Sequence, residues 1–149
     1  MLIELIHNRI LIAGLLGWGL SQTIKVPLEY LRTHEWDWSL LFHAGGMPSS
    51  HSALVIAIAY AAALYEGFDS PIFALSVAVA MIVIYDATGV RRQAGKHAEL
   101  INAIIDSFAS GHPLKGETLR EVLGHTPIEA LGGIVLGMLS AQCLWTIWR

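Results

Sequence analysis

Four long apolar runs leave this 149-residue chain few ways to fold. Ile10 to Ile24, Ser49 to Tyr65 and Ile72 to Tyr85 contain no Asp, Glu, Lys or Arg, and the fourth, from about Ile128 to Trp148, carries only Glu129. Such runs read as membrane helices. A water-soluble bundle of them would need polar sequence to cover it, whereas 54% of the residues are hydrophobic and 14% charged, with a mean hydropathy of +0.56. Tryptophans at positions 18, 36, 38, 145 and 148 fall near the ends of the runs, where interfacial aromatics belong. Two runs are shorter than the roughly 20 apolar residues of a full span. Helix ends that line a polar site rather than lipid would account for the shortfall.

The expectation is therefore an all-α integral membrane helical bundle. It is read as one membrane-embedded domain over residues 1–149, with about four transmembrane helices and an amphipathic helix in the long third loop. Glu4 acidifies the leading segment and no small-x-small site follows the first run, so that helix is read as retained, not as a cleaved signal peptide. The amphipathic helix is placed over Gly95 to Ala109. There Ala98, Ile101, Ile105 and Phe108 share a face, and Lys96, Glu99 and Asp106 lie elsewhere. Ser110-Gly111-His112-Pro113 stops it, and Thr118 with Glu121 forms a capping-box pattern opening a turn over Leu119 to Leu123.

Composition also excludes functions. A net charge of −3 and a pI near 6.1 supply no basic field for nucleic acid. Cys143 is the single cysteine, which rules out an internal disulfide and a cysteine-built zinc site.

The chemistry gathers at two helix mouths. Gly45-Gly46-Met47-Pro48-Ser49-Ser50-His51-Ser52-Ala53 crowds hydroxyls and a histidine onto the start of the second run. Pro48 suits a helix start, and Ser49 or Ser50 can accept from the first-turn N–H groups. Gly124-His125-Thr126-Pro127-Ile128-Glu129 loads the fourth run in the same way, with Thr126 as cap, Pro127 near the first position and Glu129 in the first turn. With four spans, both mouths share one membrane face with Lys25, Arg32, Asp86, Arg91 and Arg92. Orphan N–H groups, the positive ends of two helix dipoles, and the lysine and arginines of that face together describe an oxyanion site.

These residues resemble the type 2 phosphatidic acid phosphatase superfamily, which also includes the vanadium haloperoxidases. Lys25-x6-Arg32 keeps the spacing of the family's Lys-x6-Arg-Pro motif, with Thr33 in place of proline. Pro48-Ser49-Ser50-His51 matches Pro-Ser-Gly-His, with Ser50 in place of glycine. His125-Thr126-Pro127-Ile128-Glu129 resembles the histidine and acid of the third motif, Ser-Arg-x5-His-x3-Asp. Glutamate there replaces aspartate, and the arginine is left behind at Arg91 or Arg92 with the long loop between. A rival alignment, Arg91-x5-His97, has the literal spacing but puts Ile101 at the acid position. His125 is preferred on role and context.

The resemblance implies a metal-independent phosphatase with no cofactor, acting on a membrane lipid phosphate of phosphatidate or polyprenyl phosphate type. His125 would be the nucleophile that forms a phosphohistidine, Glu129 would hold its other ring nitrogen, and His51 would protonate the leaving alkoxide. Lys25, Arg32, Ser50, Arg91 and Arg92 would bind the phosphoryl oxygens.

Plainer readings stand beside these. The serines, Thr126 and the prolines could be simple caps, and Lys25, Arg32, Arg91 and Arg92 could be positive-inside anchors. Asp86 reads as a structural partner for an arginine. Gly133-x3-Gly137 suits close helix packing or a dimer face, so a homo-oligomer is also expected. Lys25, Arg32, Arg91, Arg92, Lys96, Lys115 and Arg120 outnumber Arg9 and Arg149 on the other side, which puts the site face in the cytoplasm. The alternative function is a non-catalytic phospholipid-binding or scaffolding membrane protein descended from such phosphatases.

Overall fold

A computed structural model describes residues 2–42, 45–108 and 124–148, and every long element in it is a helix. In chain order these are α1 (Leu2–Ile6), α2 (Arg9–Thr33), a 3₁₀ turn (Trp38–Leu41), α3 (Ser50–Glu66), α4 (Pro71–Tyr85), a π-turn (Asp86–Val90), α5 (Arg91–Phe108) and α6 (Pro127–Ile147). Arg9–Thr33, Pro71–Asp106 and Pro127–Ile147 are long and apolar enough to cross a membrane, and Ser50–Glu66 is a shorter apolar helix. The chain is thus a helical membrane bundle. His43, His112, Lys115, Arg120, Arg149, the stop at residues 110–113 and the capping box at Thr118 and Glu121 lie outside the described residues.

Helix α3 is the centre, packed by α2, α4 and α6, while α2 and α6 also touch each other. It can be central because it is narrow. Ala53, Ala57, Ala59, Ala61, Ala62 and Ala63 are buried along it, and its neighbours approach through glycines. A Cβ on Gly17 would lie 2.9 Å from Ala53 O, and one on Gly137 would lie 2.5 Å from the same oxygen. A Cβ on Gly133 would strike Ser49 O. Close backbone approach through small residues is how membrane helices associate where burial from water supplies no drive. The Gly133-x3-Gly137 stripe is therefore used against α3 inside the chain. Large side chains point outward instead, among them Leu75, Met81 and Ile82 on α4 and Leu131 and Leu139 on α6.

Three boundaries differ from the sequence reading. Helix α2 does not end near Ile24 but continues through Lys25 and Pro27 to Thr33, where His34 closes it in the left-handed conformation. A proline inside a membrane helix is tolerated when neighbours satisfy the backbone it frees. The third run does not stop at Asp86 either. The wide π-turn carries α4 straight into α5, its register bridged by Asp86 and Arg91: Arg91 N–H donates to Asp86 O, and Arg91 Nε donates to Asp86 Oδ2 at 2.6 Å. The amphipathic helix is thus the continuation of a span, beginning at Arg91 instead of Gly95. Its buried side is Gly95, Ala98 and Asn102, while Leu100, Ile101, Ile104 and Ile105 are exposed.

Candidate active site

The start of α3 is held by both of its neighbours. Ser49 is the cap, its Oγ accepting from Ser52 N–H at 3.3 Å and from the Ser52 hydroxyl at 3.0 Å. Ser49 N–H donates to Glu129 O of α6 at 2.9 Å, and the Ser21 hydroxyl of α2 donates to Pro48 O at 3.0 Å. The two loaded helix mouths are therefore joined through their backbones. Capping falls to Ser49, and Pro48 precedes the cap.

Ser50 faces a cation instead. Lys25 is 1% exposed, and its Nζ donates to Gln22 Oε1 at 2.9 Å and to Ser50 Oγ at 3.5 Å. An anchoring lysine would extend its ammonium to water along an apolar stem. This one is turned inward, to the mouth of α3.

The mouth of α6 carries the histidine. Thr126 Oγ1 accepts from Glu129 N–H at 3.3 Å while Glu129 Oε2 accepts from Thr126 N–H at 2.9 Å, a complete capping box. The same Oε2 lies 3.3 Å from His125 Nδ1. A carboxylate only accepts, so Nδ1 carries the proton and Nε2 presents its lone pair. His125 is 2% exposed, and its Nε2 is buried with no hydrogen-bond partner among the described residues. Burial pushes the His125 pKa below the ordinary histidine range, and Lys25 and Arg91 push it the same way. The bond to Glu129 and its charge oppose them without prevailing.

Tertiary structure brings the arginine pair back to this histidine. His125 N–H donates to Ala87 O of the π-turn at 2.9 Å. Gly124, at φ 88°, lies so close to that turn that a Cβ would sit 2.5 Å from Arg92 N and 2.9 Å from Arg91 C. The long loop thus closes with its two ends in backbone contact. Arg91 is half-exposed and paired with Asp86, as its position beside the pair suggested. The His51 and His125 ring centroids are 6.2 Å apart, tilted by 55°.

Not every predicted residue joins this group. Arg32 stands two turns beyond Lys25 on α2, about 10 Å further along the axis. Its side chain is 79% exposed and lies 3.9 Å from Glu29. Arg92 contributes backbone to the Gly124 contact, with an exposed side chain, and His97 is exposed on α5. Conversely, Gln22, Ser21 and the Ala87 carbonyl help build the site without having been singled out, and Gly124, named only as part of the second mouth, closes it against the π-turn. Ser21 and Gln22 did carry a signal, as polar residues in an apolar run four and three positions before Lys25.

Comparison with known proteins gives one family and one curated relative. The family model described as "Divergent PAP2 family" matches residues 6–140. The uncharacterized membrane protein YuiD of Bacillus subtilis (strain 168) is 42% identical over 152 residues, covering 95% of this chain and 96% of that protein. No solved structure matches.

Proposed function

The chain belongs to the Divergent PAP2 family, and from that premise we propose that it is a metal-independent phosphatase of a membrane lipid phosphate, working through a phosphohistidine. The observation that supports this most strongly is the buried, unpartnered Nε2 of His125, with Nδ1 on Glu129 and the His51 ring opposite.

In this reading His125 Nε2 attacks phosphorus as the bond to the lipid oxygen breaks. Protonated His51 passes its proton to the departing alkoxide. Water then attacks the phosphohistidine, giving its proton to His51 and releasing phosphate, so both histidines are restored. Glu129 steadies the positive imidazole that forms when Nε2 bonds to phosphorus. Lys25, Ser50 and Arg91, with the N–H groups at the start of α3, hold the phosphoryl oxygens as their charge redistributes. Arg32, exposed beside Glu29, stands apart from this group. A lipid of phosphatidate or polyprenyl phosphate type keeps its tail in the bilayer while its head enters the site, and the excess of cations near the motifs favours a cytoplasmic site face.

Phosphate release from a panel of lipid phosphates, by detergent-purified protein in chelator, tests the reading alongside His125→Ala and His51→Ala. Equal rates for all three proteins would sink it. A second reading, a non-catalytic lipid-phosphate binder or scaffold, draws on the outward-facing Arg32. Orthovanadate protection against heat without any turnover would favour that one.

A further inference from the structure

Lys25 is the most deeply buried cation of the proposed site, and Gln22, which accepts from its ammonium at 2.9 Å, is an amide and not an acid. Gln22 lies one helical turn earlier on α2 and is itself buried. Its Oε1 accepts from Lys25 Nζ at 2.9 Å, while its Nε2 donates to Leu41 O at 2.8 Å and to Leu40 O at 3.3 Å. One side chain therefore joins the ammonium to the 3₁₀ turn Trp38–Leu41. On that exposed turn Trp38 stacks on Trp36 at 5.6 Å between centroids, and Trp36 stacks on Tyr30 of α2 at 4.4 Å.

The choice of amide matters to the charge. A carboxylate at position 22 would hold Lys25 equally well but would cancel its field at the mouth of α3. An amide aims the ammonium through a dipole and adds no negative charge of its own beside it. The second half of the amide donates to carbonyls, which a carboxylate cannot do.

We propose that Gln22 is a positioning residue of the anion site, holding Lys25 Nζ toward Ser50 and tying that ammonium to the exposed turn Trp38–Leu41. This rests on the phosphatase reading only for its anion-binding consequence, so the test has arms that do not involve an anion.

The full chain in detergent micelles is treated with a small amine-acylating reagent, and modification of Lys25 is followed by mass spectrometry with the exposed Lys96 as internal standard. Gln22→Met keeps the length of the side chain and loses the bonds to Lys25, Leu40 and Leu41. Gln22→Glu keeps the acceptor for Lys25 and loses the donor to Leu40 and Leu41. Lys25 acylation rises about tenfold or more in Gln22→Met, the loss expected for a hydrogen bond to a charged group, and returns to near the wild-type rate in Gln22→Glu. Proteolysis within residues 36–42 rises in both variants. Orthovanadate affinity, read as a thermal shift, weakens about tenfold in both, through a misplaced ammonium in one and a neutralised one in the other.

Wild-type Lys25 reactivity in a Gln22→Met protein that melts like wild type overturns the proposal. If that variant does not fold, unchanged proteolysis of residues 36–42 in Gln22→Glu overturns it. Release of Lys25 in Gln22→Met, in a protein whose wild type binds no orthovanadate, upholds the role of Gln22 and removes the phosphate reading instead.

Discussion

The backbone N–H of His125 donates to the carbonyl of Ala87 at 2.9 Å, across the whole of the third loop. That bond seats the histidine at the mouth of α6 on the π-turn that leads into Arg91. A motif that is split in the sequence is thereby continuous in space.

Replacing His125 by alanine abolishes hydrolysis, whereas His51→Ala slows it by about 10²- to 10⁴-fold, the usual contribution of general acid catalysis. The His51→Ala loss shrinks for an aryl phosphate, whose leaving group departs without a proton. Steady-state rates on an alkyl and an aryl phosphate check this; an equal loss on both would remove His51 from the acid role.

Glu129→Gln preserves the helix cap, because its amide oxygen can still accept from Thr126 N–H, but it no longer demands the proton on His125 Nδ1. The rate falls by up to about 10⁴-fold, as when the acid orienting a catalytic histidine becomes an amide. The two influences that raise the His125 pKa both come from Glu129, so the acid limb of the kcat/KM profile moves to lower pH in this variant. A pH–rate profile of wild type and variant reads both effects.

The same shift links stability to pH. The His125 pKa lies lower in the folded chain than the ordinary value of about 6.5, chiefly through burial. The unfolded chain therefore binds a proton first on acidification. This contribution to stability is full above about pH 6.5 and is lost as pH falls through the folded-state pKa. Melting temperatures from about pH 8 to about pH 5 should show that slope in wild type and a shallower one in His125→Gln.

Gly124→Ala destabilises by about 1–3 kcal/mol or more, since it adds both an unfavourable φ and a collision with Ala87 O, 2.8 Å from the new Cβ. Gly133→Ala also destabilises, through Ser49 O. Gly19 has open space around it, and Gly19→Ala is stabilising by about 0.5–1 kcal/mol. Thermal melting of the three variants in one detergent tests the ranking.

Arg91→Gln weakens orthovanadate binding and removes the pairing with Asp86, whereas Arg32→Gln changes affinity little because its side chain is 79% exposed beside Glu29. Titration by thermal shift distinguishes them. An Arg32→Gln loss as large as that of Arg91→Gln would return Arg32 to the anion site.

The amino-acid sequence by itself determined the helical membrane class, the α3 and α6 boundaries to within a residue or two, the cap at Thr126, and the sharing of one membrane end by both histidine-bearing mouths. All of this is local: uncharged runs, capping residues and the parity of spans need no knowledge of what packs on what. Only the tertiary structure decided that Lys25 turns inward to Ser50 while Arg32 turns outward, although both sit on α2 and both kept the motif spacing. It alone decided that α4 runs through Asp86, since a π-turn depends on bonds between residues five apart and breaks no propensity rule. It alone brought Gly124 against Arg91 and Arg92, because loop closure reflects which backbones can touch, and here a glycine at positive φ lets them.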